Sequence, residues 1–319
     1  MIPLAEIEAA ARNVYAAMLP TPQIAWPLLA RRAGREVWVK HENHTPTGAF
    51  KVRGGINLLA RLAAAGALPR GLVSATRGNH GQSLAFACRR AGVGCDIVVP
   101  HGNSADKNRA MRAFGANVIE FGRDFDEARE HAGGLARDRG FTFVGPFERD
   151  LVAGVATYAL ELFRAAPPLA TVYVPIGCGS GICGLISARD ALGLPTAIVG
   201  VVSERANAYA LSFAAGKPVA TASADTMADG MAVRVPVPAA LEVILRGAAR
   251  IVEVADAEIE DAMRAYFSDT HQVAEGAGAA PLAALLREGD RAGERAAVIL
   301  CGGNVDREPY LRVLGAGWT

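Results

Sequence analysis

Lys51 is one of four lysines, with Lys40, Lys107 and Lys217, in a chain whose other 29 of 33 basic residues are arginine. It lies in His41-Glu42-Asn43-His44-Thr45-Pro46-Thr47-Gly48-Ala49-Phe50-Lys51-Val52-Arg53-Gly54-Gly55. Arginine supplies charge but neither gives up its proton nor attacks a carbonyl. A lysine retained against such a bias is therefore a candidate Schiff-base residue. Three further stretches carry chemistry. In Ser74-Ala75-Thr76-Arg77-Gly78-Asn79-His80-Gly81-Gln82 the glycines permit sharp turns, and free amides with Asn79 can hold a carboxylate or a phenolic oxygen. In Gly177-Cys178-Gly179-Ser180-Gly181-Ile182-Cys183-Gly184 small residues let several N–H groups converge on one anion, as in a phosphate cradle at a helix N-terminus. Cys301-Gly302-Gly303-Asn304 sets a small polarisable side chain at a strand end.

Lysine imine chemistry, an anion cradle and a side chain placed to face a ring nitrogen together describe a pyridoxal phosphate site. The elements that must position them alternate. An amphipathic helix is predicted over Leu4–Met18, ended by Leu19-Pro20-Thr21-Pro22, and helices over Gln82–Ala91, Ser104–Phe114 and Asp124–Arg139. Short apolar strands are predicted at Glu36–Lys40, Gly71–Ser74, Asp96–Val99, Asn117–Glu120, Thr171–Pro175, Ala197–Val202, Arg250–Val254 and Ala296–Leu300. Strand and helix in repetition imply an α/β fold of parallel sheets covered by helices on both faces. A turn-rich zone at Val144-Gly145-Pro146-Phe147 divides the strands into two sheets, and ligands are expected beyond their C-terminal ends. The glycine-rich stretches fall there.

Composition narrows the partners. A chain of 319 residues, 51% apolar and 20% charged, is long enough for two domains and a substantial core. A net charge of +1 makes no electrostatic case for nucleic acid or an anionic membrane. No apolar run approaches the ~18 residues of a membrane span, and the stretch Met1–Glu8 has acidic residues where a secretory signal has basic ones. Five scattered cysteines, Cys88, Cys95, Cys178, Cys183 and Cys301, suit reduced thiols and a cytoplasmic location. Cys178 and Cys183 read as packing residues, Lys107 and Lys217 as surface charges. His41 and His44, flanking Glu42, read as structural rather than metal-binding.

The chain resembles the fold type II pyridoxal phosphate enzymes, specifically the threonine/serine dehydratase and serine racemase family. The resemblance rests on Thr45–Gly54, Gly78-Asn79-His80-Gly81-Gln82, the Gly177–Gly184 loop, Thr226-Met227-Ala228-Asp229-Gly230 and Cys301-Gly302-Gly303-Asn304-Val305-Asp306, in the family's order over nearly the whole chain. It implies two domains of the tryptophan synthase β type, each an open, twisted, mostly parallel sheet flanked by helices. The large one takes residues 1–52 and 147–319, and a small mobile one takes residues 53–146. It implies that Lys51 binds the coenzyme as a Schiff base and then takes the substrate Cα proton. By the same resemblance Phe50 lies against the pyridine ring and Asn79 bonds its O3′. Gly177, Cys178, Gly179, Ser180 and Gly181 hold the phosphate, and Cys301 faces the ring nitrogen. Thr76, Arg77, Gly78, Asn79 and His80 border the substrate, and Glu275 matches a family glutamate near the crevice. A thiol at the ring nitrogen does not enforce a protonated pyridine, which favours loss of a β-leaving group over transamination. The implied reaction converts a β-hydroxy-α-amino acid (threonine, serine or a bulkier one such as 3-phenylserine) to a 2-oxo acid and ammonia. The implied assembly is a homodimer.

Arg77 departs from the family pattern. Racemases carry there a serine that serves as second base, whereas arginine stays protonated, which disfavours racemisation. Arg77 is left three roles: pairing with the phosphate, binding a substrate carboxylate, or facing solvent. Relatives often bind a divalent cation through a glutamate and an acid six positions later; here Glu204 is followed by Ala210, so no metal site is expected. A C-terminal regulatory domain is not expected after Thr319. Two rivals remain. Gly179–Gly184 formally satisfies G-x-G-x-x-G, with Glu204 as the ribose acid of a nicotinamide-dependent oxidoreductase, but that reading leaves Lys51, Asn79 and Cys301 idle. The other is a β-replacement enzyme of the same fold. His80 is expected to bond backbone rather than take part in catalysis.

Overall fold

A computed structural model describes residues 2–316; Met1 of the acidic N-terminal stretch and the end at Thr319 lie outside the described residues. In chain order the first elements are α1 (Leu4–Tyr15), β1 (Gln23–Ala25), α2 (Pro27–Ala33), β2 (Glu36–His41), α3 (Lys51–Ala64), β3 (Gly71–Ala75) and α4 (Asn79–Ala91). β4 (Gly94–Val99), α5 (Ala105–Ala113), β5 (Asn117–Glu120), α6 (Phe125–Arg139), β6 (Thr142–Phe143) and α7 (Arg149–Ala165) follow. The chain continues through β7 (Thr171–Pro175), α8 (Ser180–Ala191), β8 (Ala197–Ser203), α9 (Ala208–Ala215) and α10 (Pro238–Gly247). It closes with β9 (Arg250–Val254), α11 (Asp256–Thr270), α12 (Gly276–Glu288), β10 (Arg295–Leu300) and α13 (Arg307–Gly315). Local chemistry sets several boundaries. Pro27 opens α2 with a φ already helical. The Ser104 hydroxyl accepts from Lys107 N at 3.0 Å, and the Asp124 carboxylate from Glu127 N at 3.0 Å, so each caps its helix.

Two sheets result, one of six strands in the order β1-β2-β10-β7-β8-β9 and one of four in the order β5-β4-β3-β6. Every pairing is parallel except β1 with β2. The fold is α/β with mostly parallel sheets, as expected. The central strands β7, β8 and β10 are buried nearly throughout, which is why they read as unbroken apolar runs. The expected helix over Leu4–Met18 stops at Tyr15, because Ala16–Met18 form the turn that leads into Pro20 and Pro22. β1 and β6 were not expected. They are only three and two residues long, and each exists because a partner strand, β2 or β3, supplies its hydrogen bonds. The helix expected from Gln82 begins at Asn79, inside the glycine loop.

One buried ionic cluster fixes the helix that carries Lys51. Arg53 donates from Nε to Glu42 Oε2 at 2.6 Å and from Nη1 to Glu161 Oε1 at 2.6 Å. Lys40 Nζ donates to Glu161 Oε2 at 2.6 Å and to the Thr21 carbonyl at 2.8 Å. The side chains of Lys40, Glu42 and Arg53 are 0% exposed and that of Glu161 7%. Two cations and two anions cancel; the Thr21 hydroxyl donates to Glu42 Oε1, and the Thr157 hydroxyl accepts from Arg53 Nη1. Such satisfaction is what makes burial of four charges tolerable. Burial alone would push the Glu161 carboxyl up; Arg53 and Lys40 outweigh it and hold it below its ordinary value. Directly after Arg53, Gly54 and Gly55 let α3 approach Leu151 of α7 and Ser83 of α4, where side chains would collide. Replacing Glu42 by alanine leaves Arg53 partly uncompensated, and is expected to cost about 3–5 kcal/mol of stability, seen as a lower urea midpoint at unchanged slope.

Candidate active site

In the β2–β10 register Leu300 lies opposite His41, so the chain leaves both strands at one level and the two following loops are clamped together. Phe50 N donates to the Cys301 carbonyl at 2.9 Å, Gly303 N to the Gly48 carbonyl at 2.9 Å, and Ala49 bridges Gly302. Lys51 is thereby delivered as the first residue of α3. Its Nζ donates to Ser180 Oγ at 2.7 Å and stands 5.1 Å from the centre of the Phe50 ring. Burial pulls the Lys51 amine below its ordinary pKa, while Cys178 and Cys301 act weakly the other way. The amine also stands at the first residue of α8, and free N–H groups at a helix start disfavour a cation. An amine so treated is more readily neutral and nucleophilic.

Ser180 is the first residue of α8 and 1% exposed. The turn before it needs glycine at two places. A Cβ on Gly177 would run into the Gly230 carbonyl oxygen, and Gly179 has φ 94° with Ala240 Cβ 2.6 Å from where its own Cβ would lie. The result is a bare backbone cup at a helix N-terminus, fit for a phosphate, with the Lys51 amine hydrogen-bonded to its rim. Cys301, 4% exposed, follows β10; burial holds its thiol well above the ordinary value, reinforced by Glu275. It is a neutral group.

Asn79 opens α4 and is held at both ends of its amide. Its Nδ2 donates to Glu275 Oε1 at 2.7 Å, and its Oδ1 accepts from Asn304 Nδ2 at 2.8 Å. Asn304 Nδ2 also donates to the Thr47 carbonyl at 2.8 Å, so one side chain joins the loops of Lys51, Asn79 and Cys301. The Thr76 hydroxyl is buried and accepts from Gly78 N at 3.0 Å, shaping the turn. His80 is buried, with Nε2 3.5 Å from the Val144 carbonyl, and burial drives its pKa to about 3, so it is neutral and backbone-directed. Arg77 is exposed, and among the described residues no hydrogen bond or ion pair holds it.

Lys51, Phe50, Asn79, the Gly177–Gly181 turn and Cys301 therefore meet at one crevice beyond the ends of β3, β7 and β10. One expectation fails. Lys107 is no surface charge: its side chain is 12% exposed, its stem packs on Gly78, and its Nζ pairs with Asp229 at 2.8 Å across the crevice. Lys217 is exposed. Asn304 received no role from the sequence, although its place directly after Gly302-Gly303 at a strand end was a usable signal. Glu204, weighed as a cation or ribose contact, pairs with Arg287 at 3.0 Å.

Comparison with known proteins agrees with this geometry. A family model described as "Pyridoxal-phosphate dependent enzyme" matches residues 14–302. An L-threonine ammonia-lyase of Thermotoga maritima is 33% identical over 318 residues, covering 99% of this chain and 79% of that protein. A crystal structure of a threonine deaminase from T.th. superposes with a TM-score of 0.90 at 31% identity, covering 95% of this chain and 99% of the other. A pyridoxal 5'-phosphate-dependent aspartate racemase does so with a TM-score of 0.91 at 30% identity, covering 96% and 97%. The nicotinamide reading of Gly179–Gly184 is thereby overturned, since that loop falls inside the matched family region. Gly177→Ala is expected to weaken pyridoxal phosphate binding by about five- to 150-fold, because overpacking at this contact costs about 1–3 kcal/mol; a fluorescence titration of the apoprotein measures it.

Proposed function

Because the chain belongs to the pyridoxal-phosphate-dependent enzyme family and is a lyase of it, we propose that it removes water from a β-hydroxy-α-amino acid to give a 2-oxo acid and ammonia. The observation that carries this reading is the Lys51 amine, its pKa lowered, hydrogen-bonded to Ser180 at the phosphate cup, with a neutral thiol rather than a carboxylate at the end of β10. The similarity to an L-threonine ammonia-lyase and a threonine deaminase supports threonine and serine as substrates. A bulkier β-substituent such as the phenyl of 3-phenylserine is the finer alternative, motivated by the unusual Thr76-Arg77 turn.

Bound pyridoxal phosphate supplies an electron-withdrawing ring that acidifies the substrate Cα–H bond. The residues of the chain do the rest. Lys51 Nζ carries the coenzyme and, once displaced by substrate, takes the Cα proton. Ser180 Oγ, 2.7 Å from Nζ, holds the amine in place and shares its proton. The Cβ–O bond then breaks and hydroxide leaves with a proton from this pair; the released enamine hydrolyses to oxo acid and ammonia. Phe50, whose ring centre is 5.1 Å from the amine, would keep one side of the bound ring apolar. Cys301, a neutral thiol, would offer the ring nitrogen only a weak partner. The Thr76 hydroxyl, which accepts from Gly78 N, shapes the turn that would border the substrate carboxylate. In this proposal residues 53–146 close as a unit over residues 1–52 and 147–319, excluding water from the carbanion, and two chains form a dimer.

Racemisation needs a second base on the opposite face, and a guanidinium is a poor base. Arg77→Ala is expected to change substrate affinity without creating racemisation, read by chiral analysis of residual serine. Lys51→Ala is expected to lower oxo-acid formation about a thousandfold or more. A panel of threonine, serine and 3-phenylserine, scored for oxo acid without added thiol, separates this reading from β-replacement. Oxo acid released at the wild-type rate by Lys51→Ala would overturn it.

A further inference from the structure

We propose that Glu275 is a positioning residue for the coenzyme's phenolic oxygen: with Asn304 it locks the amide of Asn79 so that one Nδ2 hydrogen is left to face that oxygen. This rests on the reading that Asn79 addresses O3′. An amide has two N–H hydrogens and one oxygen. Asn304 Nδ2, itself committed as a donor to the Thr47 carbonyl, claims the Asn79 oxygen at 2.8 Å. Glu275 Oε1 accepts one Asn79 hydrogen at 2.7 Å. A flipped Asn79 would set its NH2 against the NH2 of Asn304, so the second hydrogen has one orientation. Glu275 is itself fixed: its N donates to the Gly302 carbonyl at 3.1 Å, and a Cβ on Gly302 would lie 2.5 Å from Oε1.

Glu275 also brings a charge. It is 7% exposed, and burial pushes its carboxyl up to about 7, with Lys107 and the Asn79 N–H pulling it down and Asp229 pushing it further up. Lys107 of α5, Asp229 and Cys301 are the titratable groups that face it from the packed elements, and Asp306 acts on Lys107. The sign follows. Above this pH Glu275 is anionic, which weakens the remaining Asn79 N–H as a donor and disfavours negative charge on the phenolic oxygen. Below it Glu275 is neutral and the oxygen's charge is supported.

The test is the visible absorption of the holoenzyme between about pH 5.5 and 8.5, a span that brackets the midpoint near 7. The wild-type band is expected to lose intensity as pH rises through that midpoint. Glu275→Gln, which keeps an amide-bonding oxygen but no proton to lose, is expected to remain coloured and to show no such change. Asn304→Ala, which frees the Asn79 amide, is expected to weaken coenzyme binding about tenfold. A wild-type band that is flat or strengthens with pH overturns the proposal without any variant, as does a Glu275→Gln band that titrates like the wild type. Borohydride reduction separates the two levels. A colourless protein with no adduct on Lys51 sinks the underlying assignment and this one with it, whereas a coloured, pH-insensitive protein sinks only the role of Glu275.

Discussion

Electroneutrality in a dry interior is the constraint on which the site depends. Arg53 lies two residues beyond Lys51, and its guanidinium is held in a fork by Glu42 and Glu161, with Lys40 completing the balance. These groups come from β2, from the turn after it and from α7, so the start of α3 is tied to the large sheet by bonds that are strong because water is excluded. A hydrophobic contact would resist separation, but it would not fix the rotation of α3 about its axis. The fork does, and rotation decides whether Lys51 reaches Ser180. The cluster presents no net charge to the amine, whose proton affinity is left to burial and the helix start.

The crevice is then an exercise in satisfying backbone. Parallel strands end with unpaired groups at their C-terminal edges, and here the loops after β2, β3 and β10 meet. Two of the loops bond each other directly, through Ala49 with Gly302 and Gly48 with Gly303. The third is attached through Asn79 to Glu275 and Asn304. Across the crevice, Lys107 with Asp229 and Ser104 with Asp306 join α5 to the loops of the large sheet. The polar bridges are few and lie at the rim.

Much of this was legible in the sequence, for physical reasons that differ by element. The buried parallel strands announce themselves because both faces must be apolar, and the glycine turns because only glycine fits where a Cβ would strike Gly230 or Ala240. Lys51 stood out against an arginine-rich background. The short strands β1 and β6 were hidden, since neither forms without a distant partner. Lys107 was misjudged for the same reason: nothing within α5 reveals that Asp229, more than a hundred residues on, lies over it. The roles of Asn304 and of the buried fork depend likewise on contacts that no local pattern encodes. Arg77 remains as the sequence left it, a cation at the mouth of the crevice that pairs with nothing among the described residues.

The pairing of Ala49 with Gly302 also bears on how the molecule is made. The four-stranded sheet uses residues 71–143 alone and can pair while the rest is still on the ribosome. β2, by contrast, waits for β10, its parallel neighbour, and the loop holding Lys51 waits for the carbonyl of Cys301. Closing so long a loop is slow. In a nascent chain the Lys51 amine therefore stays unpositioned until β10, far along the sequence, has paired with β2.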